Sequence, residues 1–123
     1  MRNTECMMQG IKGADVDDMP SFIQVVTTTE KKEDAERIAA CLVEKRLAAC
    51  VQIAGPITSL YRWKGSIERA QEWQCWIKSK EALYKEIEKA IKSVHPYEVP
   101  EIIAMPIIAG SRDYLEWLES EVT

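Results

Sequence analysis

The only histidine of the chain, His95, begins a short segment in which prolines alternate with polar side chains. Residues 95–101 read His-Pro-Tyr-Glu-Val-Pro-Glu. The two prolines restrict the backbone, so the polar side chains are held in fixed directions. His95, Glu98 and Glu101 together offer one imidazole nitrogen and two carboxylates, which suits a borderline metal such as copper or zinc. A stiff connection with solvated acids explains the same spacing, so both interpretations stay open.

Aromatic side chains concentrate in the middle of the chain. Trp63, Trp73 and Trp76 lie there, with Tyr61 beside them. Such side chains anchor a core or a subunit interface, and in a cleft they stack on a ligand. Lys78 follows them and is expected to pair with Glu101, to bind an anionic ligand or to stay solvated. The candidates for a ligand or interface site are Tyr61, Trp63, Trp76, Lys78 and Tyr97.

The chain lacks the sequence motifs of several enzyme and partner classes. No G-x-S-x-G, Walker A or G-x-G-x-x-G string occurs, and a histidine mechanism would need His95 beside a nucleophile. The net charge of −4 and the absence of an RNA-recognition string in residues 67–78 argue against nucleic acid. No apolar run approaches the roughly 20 residues of a membrane span. The sequence therefore predicts a protein that is not an enzyme and binds neither nucleic acid nor membrane.

The four cysteines are not arranged in pairs. Cys6, Cys41, Cys50 and Cys75 are too far apart for a zinc-ribbon or thioredoxin-type motif. We expect buried, reduced thiols of a cytoplasmic protein, Cys50 among them in a strand, with a ligand or redox role as the alternative.

Residues 1–20 differ in character from the rest of the chain. Asp15, Asp17 and Asp18 make this segment acidic, and it has no apolar stretch of the kind found in a secretory signal. We interpret it as a flexible N-terminal tail, followed by one domain over residues 21–123.

Hydrophobic periodicity divides that domain into strands and helices. Short β-branched or alternating runs predict strands, and apolar stripes spaced three or four residues apart predict helices. Thr29 is expected to cap the first helix, and Gly55-Pro56 to bend the second strand. The predicted strands cover residues 21–28, 48–64, 67–78 and 101–108; the predicted helices cover 29–46, 80–94 and a short stretch after Gly110.

This order, β-α-β-β-α-β with a short C-terminal helix, is typical of the ferredoxin-like α+β fold. That fold is a four-stranded antiparallel sheet with two helices on one face. The strands of the central hairpin are longer than their predicted partners. Because exposed strand edges and apolar side chains are usually covered by association, the long β-hairpin predicts an oligomer.

Four long strings resemble the CutA family of divalent-ion tolerance proteins. The resemblance runs from about residue 22 to residue 118. In chain order the strings are LVEKRLAACVQI (42–53), ITSLYRWKGSIE (57–68), HPYEVPEIIAMPI (95–107) and YLEWL (114–118). The resemblance implies a ferredoxin-like protomer, a tight homotrimer joined by its hairpins, and a non-enzymatic cytoplasmic role in tolerance of copper and other divalent cations.

The resemblance also bears on the ligand. Some bacterial members of the family carry a cysteine at the end of the first strand and two histidines before Pro-Tyr; here Thr27 and Val94 occupy two of these positions. It therefore implies weak binding of copper or another divalent cation, or sensing of a ligand, at clefts between subunits. The trimer of the family resembles the PII signalling proteins in shape. A PII-like module that binds a small organic anion or a partner protein is the alternative.

Overall fold

The computed structural model describes residues 21–123, so the predicted tail 1–20 and Cys6 lie outside the described residues. The predicted element order is confirmed, whereas the division at residue 20 stays a prediction. The elements are β1 (Phe22–Thr29), α1 (Lys32–Glu44), β2 (Cys50–Trp63), β3 (Ser66–Lys80), a single 3₁₀ turn (Glu81–Leu83), α2 (Tyr84–Val94), β4 (Ile102–Ile107) and α3 (Arg112–Glu121).

The four strands form one antiparallel sheet in the order β2-β3-β1-β4. The predicted ferredoxin-like fold is thereby confirmed. Strand β4 lies at an edge of the sheet, where Pro106, which has no N–H to donate to a ladder, is tolerated. No helix among residues 21–123 is long and apolar enough to cross a membrane.

The main core lies between the sheet and helices α1 and α2. Its fully buried members come from β1 and β3 and from one stripe of each helix: Val25, Ala35, Ile38, Leu42, Cys75, Ile77, Ile87 and Ile91. Burial raises the pKa of the Cys75 thiol to about 11, so this cysteine is inert at neutral pH. Cys41 and Cys50 are only half-buried, so the prediction of buried thiols is correct for Cys75 alone among the described cysteines.

The first helix begins differently from the prediction. Thr29 is the last residue of β1, where it pairs with Trp73, and its hydroxyl donates to the carbonyl of Lys31 at 2.8 Å. Helix α1 starts after Lys31 without a side-chain cap. The prediction that Thr29 caps this helix is therefore wrong, because strand pairing continues through Thr29.

The hairpin of β2 and β3 reaches well beyond the rest of the sheet. Only residues 73–80 of β3 also pair with β1, so residues 66–72 have β2 as their sole neighbour strand in the described chain. The predicted bend is confirmed by a register shift between Ala54 and Ile57. Within it Gly55 has φ +154°, and a Cβ there would lie 2.9 Å from Trp73 Cε3. This close approach requires glycine.

Candidate ligand cleft

A cleft of about 700 Å³ opens where the outer half of the hairpin passes the segment that joins α2 to β4. Its walls also include the end of β1. Three aromatic side chains line it, Tyr61, Trp63 and Tyr97. Four carboxylates line it as well: Glu30, Glu72, Glu98 and Glu101.

The cleft brings together most of the residues that the sequence singled out. Tyr61, Trp63, Tyr97, Glu98 and Glu101 all line it. The strand register explains the placement on the hairpin, because residues directly opposite share a face, and Tyr61 lies opposite Glu68 while Ser59 lies opposite Ala70.

Three predicted site residues are not part of the cleft lining: His95, which is described below, Trp76 and Lys78. Trp76 and Lys78 belong to the inner half of β3, opposite Gln52 and Cys50. The Lys78 ammonium donates to Gln52 Oε1 at 2.9 Å. The predicted pairing of Lys78 with Glu101 is therefore wrong, since the register of the hairpin places Lys78 beside Gln52.

The floor of the cleft holds a buried carboxylate, Glu72, which is only 6% exposed. Ser59 Oγ donates to its Oε1 at 2.7 Å, and the Tyr97 hydroxyl donates to its Oε2 at 2.8 Å. Both donors are neutral hydroxyls. This pair of hydrogen bonds connects β2, β3 and the segment after α2 at one point.

Tyr97 is held in its neutral form. Burial raises the pKa of its phenol, and the carboxylate of Glu72, which accepts its hydrogen bond, raises it further. Tyr97 therefore stays protonated at physiological pH and keeps donating to Glu72. It is a hydrogen-bond donor of the cleft wall and is not available as a general base.

His95 has a structural position under the same wall. It is 9% exposed, its Nε2 lies 2.7 Å from the Thr28 carbonyl, and its Nδ1 accepts from the Tyr97 backbone N–H at 3.1 Å. These partners assign the proton to Nε2. Burial lowers the pKa of His95 below its ordinary value, so the ring is neutral. Both ring nitrogens are thus engaged in fixing the segment that carries Tyr97.

The predicted metal ligands do not converge in a single chain. Glu98 pairs with Lys64, with 3.7 Å between carboxylate and ammonium and both side chains 71% exposed. Residues 21–123 contain no group of three or more His, Cys, Asp or Glu side chains arranged to hold a metal ion. A single chain therefore does not bring His95, Glu98 and Glu101 together as metal ligands, and this ligand set stays a prediction.

The charge of the cleft is strongly negative. Its described lining contains four carboxylates and no lysine or arginine. Lys64 stands beside it through its pairing with Glu98, and its ammonium also lies 5.5 Å from the centroid of the Trp63 ring. This lining does not favour the organic anion of the alternative hypothesis.

Sequence reasoning missed Glu72 and Ser59. A single glutamate in an alternating strand is ordinarily solvent-exposed, and Tyr97 is 25 residues away along the chain. The alternation of the strand gave no signal, because it places Glu72 on the face opposite Trp73 and Cys75.

Comparison with known proteins decides the family. The sequence model described as "CutA1 divalent ion tolerance protein" matches residues 23–121. The chain belongs to the CutA family. The divalent-cation tolerance protein CutA of Thermus thermophilus is 45% identical over 94 residues, which are 76% of this chain and 91% of that protein.

Solved structures of CutA proteins agree with this assignment. The T. thermophilus Cut A1 structure superposes with a TM-score of 0.81 and 41% identity, over 83% of this chain and 99% of that one. Human Protein CutA is 45% identical over 91 residues, 74% of this chain and 51% of the human protein, so the chain spans about half the length of that relative. The names of other relatives place a rice protein in the chloroplast and an Archaeoglobus fulgidus protein in the periplasm.

Proposed function

We propose that this CutA-family chain contributes to tolerance of divalent cations, copper among them, by binding the ion weakly at its acidic cleft. The observation that carries the proposal is the set of four carboxylates along one cleft. Carboxylates are hard ligands, and without a thiolate or a free imidazole they hold copper or zinc loosely and with little selectivity. Weak binding of this kind suits buffering or sensing of an ion in excess.

The proposal includes the absence of catalysis. His95 has hydrogen-bond partners on both ring nitrogens, and the thiol of Cys75 is buried with a raised pKa. Neither group is placed to attack a substrate or to move a proton in the cleft. We therefore assign no catalytic role to either group.

We also propose that the chain acts as a homotrimer whose clefts lie between subunits. The outer hairpin carries Leu60 and Ile67, each 65% exposed, and its strand edges have no partner among the described residues. Such a ribbon is stabilised when another chain covers it. A neighbouring hairpin would then supply further groups to the same cleft, which one chain leaves open.

The proposed compartment is the cytoplasm. The names of the rice and A. fulgidus relatives give other compartments, so location varies in this family. Cell fractionation of the native host tests it: recovery of the protein with periplasmic or organellar markers would contradict the proposal.

Isothermal titration with copper(II) and zinc(II) tests the ion-binding proposal. We expect weak, saturable binding by the wild-type chain, reduced by at least about tenfold in the double variant Glu98→Gln, Glu101→Gln. Glu86→Gln, an exposed change on α2, is the matched control and should leave binding unchanged. Copper heats that are equal in all three proteins would overturn the assignment of the ion to this cleft.

His95→Gln examines the remaining predicted ligand. Because both nitrogens of His95 are occupied, we expect this variant to keep its copper affinity. A loss as large as that of the double variant would instead make His95 a ligand, with its hydrogen bonds exchanged for the metal.

PII-like signalling stays the alternative function. An organic anion in this cleft would be repelled by four carboxylates. Of the two ligands in this hypothesis, the charge of the cleft therefore favours a partner protein over an organic anion. A shift of the melting temperature with organic anions and none with metals would favour signalling over ion tolerance.

A further inference from the structure

We infer that the cleft binds an organic ammonium ion, with its charge between Glu72 and the aromatic wall formed by Tyr61, Trp63 and Tyr97. The inference rests on the cleft that the proposed function uses, and it names a second class of ligand for it. Four independent features of the described residues lead to it: an unbalanced buried charge, the spacing of the acids, the composition of the walls and an internal ammonium that already occupies the rim.

The first feature is that Glu72 is a buried carboxylate without a cation. Two neutral hydroxyls donate to it, and no ion pair involves it among residues 21–123. Hydrogen bonds from Ser59 and Tyr97 keep the ionised form satisfied, but buried charges in proteins are usually also paired with an opposite charge. A carboxylate accepts about four hydrogen bonds, so Glu72, which lines the cleft, has capacity left for a ligand.

The second feature is the spacing of the acids. A bare metal ion needs several ligand atoms that converge at roughly 2–2.6 Å from one point. The four carboxylates line one cleft, yet no three of them form such a group in the described chain. Acids that share a cavity without converging hold a bare metal ion only weakly, as proposed above, and also suit a cation of greater extent.

The third feature is the composition of the walls. Three aromatic rings and the aliphatic side chains of Leu60 and Val99 line the same cleft. Aromatic faces attract ammonium groups through their quadrupole, and apolar walls bury the hydrocarbon part of a ligand. A metal ion makes no use of such walls, whereas an alkylammonium ion uses both the charge and the surface.

The fourth feature is an ammonium group that is already present at the rim. The Lys64 Nζ lies 3.7 Å from Glu98 and 5.5 Å from the centroid of Trp63. It therefore shows, within the chain itself, one carboxylate and one aromatic face acting on the same ammonium. Because this pair is exposed, it is weak, and a ligand displaces Lys64 at little cost.

A titration with matched four-carbon probes tests the inference. The isotopically labelled 123-residue chain is titrated with 1,4-diaminobutane while the Trp63 indole and Tyr97 backbone amide signals are followed by NMR. The Tyr97 amide also reports binding in the variant that lacks Trp63. We expect saturable shifts with the diamine and none with 1,4-butanediol, its neutral analogue, or succinate, its anionic analogue. Equal responses to diamine and diol, or no saturable response to the diamine, would overturn the inference.

Matched variants locate the binding site. Glu72→Gln keeps size and removes the charge, and we expect the diamine affinity to fall by about tenfold or more. Glu86→Gln removes one exposed charge elsewhere and should leave the affinity unchanged. An unchanged affinity in folded Glu72→Gln would overturn the assignment.

A second variant keeps the test decisive where Glu72→Gln fails to fold. Trp63 is 36% exposed, so Trp63→Leu removes the aromatic face without emptying the core, and we expect a loss of about threefold or more. Trp117→Leu, at a tryptophan 42% exposed on α3, is its control. Equal diamine affinity in the two tryptophan variants would count against the aromatic wall.

Copper titrations of the same samples separate this inference from the proposed function. Copper binding that is lost in Glu98→Gln, Glu101→Gln, together with no diamine binding by the wild type, overturns only the inference. Diamine binding that depends on Glu72, with copper binding indifferent to the loop acids, supports the inference and overturns only the metal proposal.

Discussion

At the scale of single residues, Glu72 holds the cleft together. Its carboxylate accepts hydrogen bonds from Ser59 on the neighbouring strand and from Tyr97, which lies 25 residues further along the chain. Below that segment, His95 is fixed between the carbonyl of Thr28 and the N–H of Tyr97. The wall of the cleft is thus positioned by polar contacts, each of which leaves a buried partner unsatisfied when it is lost.

Tyr97→Phe removes one donor from Glu72 with almost no change in volume. We expect a loss of about 1–3 kcal/mol in the free energy of unfolding, because the buried carboxylate loses a hydrogen-bond donor. Urea denaturation at fixed protein concentration measures it. Tyr114→Phe, on an exposed tyrosine of α3, should change stability by less than about 0.5 kcal/mol. Equal midpoints for both variants would contradict the role given to the Tyr97 hydroxyl.

His95 makes stability depend on pH in a defined direction. Burial lowers its folded pKa below the ordinary 6.5, and this outweighs the Thr28 carbonyl and the nearby Asp34 and Glu72 carboxylates, which act to raise it. Above pH 6.5 His95 is neutral in both the folded and the unfolded chain, so its contribution to stability is fully present. Below pH 6.5 His95 is protonated in the unfolded chain but stays neutral in the folded chain. The free energy of unfolding therefore falls by at most about 1.4 kcal/mol per pH unit.

The variant His95→Gln isolates this effect, since the chain has one histidine. We expect urea midpoints of the wild type to fall between pH 6.5 and about pH 5, and those of the variant to stay nearly level there. Carboxylates such as Glu88, whose pKa is lowered by Lys92, act only at more acidic pH. A variant that loses stability as steeply as the wild type over this range would refute the assignment.

The residues of the site were predictable where local sequence restrains them. Tyr97, Glu98 and Glu101, which the sequence singled out, stand on a segment stiffened by two prolines and line the cleft. Their roles as ligands stay predictions. Glu72 and Lys78 were not predictable, because their surroundings depend on cross-strand register. The sequence supplies the alternation of a strand but not which residue of its partner lies opposite.

At the scale of elements, the hairpin determines where the cleft forms. Hydrophobic periodicity predicted the strands and helices and their order, since each has a clear apolar pattern. Their ends depend on pairing: β1 continues to Thr29 because Trp73 lies opposite, and the expected helix cap becomes a strand residue. The turn that joins β2 to β3 is local: Lys64 has φ 50° and Gly65 has φ 85°. Two consecutive positive φ values match a type I′ turn and the twist of the strands.

Two substitutions in this turn should act in opposite directions. Gly65→Ala places a Cβ in the left-handed region, where no neighbour lies within 4 Å, so the cost of about 1 kcal/mol comes from the backbone alone. Lys64→Asn puts the residue preferred at a positive φ in its place, with a gain of about 0.5 kcal/mol. The exposed ion pair to Glu98 that is lost contributes little. Urea midpoints that move in the same direction would contradict this account.

At the scale of the whole molecule, the hairpin couples assembly to the cleft. Leu60 lies opposite Arg69, and Ile67 lies opposite Arg62, so the two apolar side chains share one face of the outer ribbon. Each is 65% exposed in the single chain, on a ribbon with unpaired edges. Tyr61 and Trp63 alternate with them and line the cleft. The face that carries Leu60 and Ile67 therefore suits contact with other subunits, while the opposite face carries Tyr61 and Trp63. Leu60 also borders the cleft, so the two surfaces meet there.

The double variant Leu60→Glu, Ile67→Glu tests this division. Both glutamates would face arginines of the same chain, so the fold of the single chain is not destabilised. In the assembly, however, each glutamate would bury a charge where the wild type has an apolar contact. Light scattering coupled to size exclusion should give about three times the 14.0 kDa chain mass for the wild type and a single-chain mass for the variant. Val43→Glu, on the exposed face of α1, is the control and should remain associated. If the double variant keeps the wild-type mass, the hairpin is not part of the interface. If the wild type itself has the mass of a single chain, the proposal of a cleft between subunits is wrong.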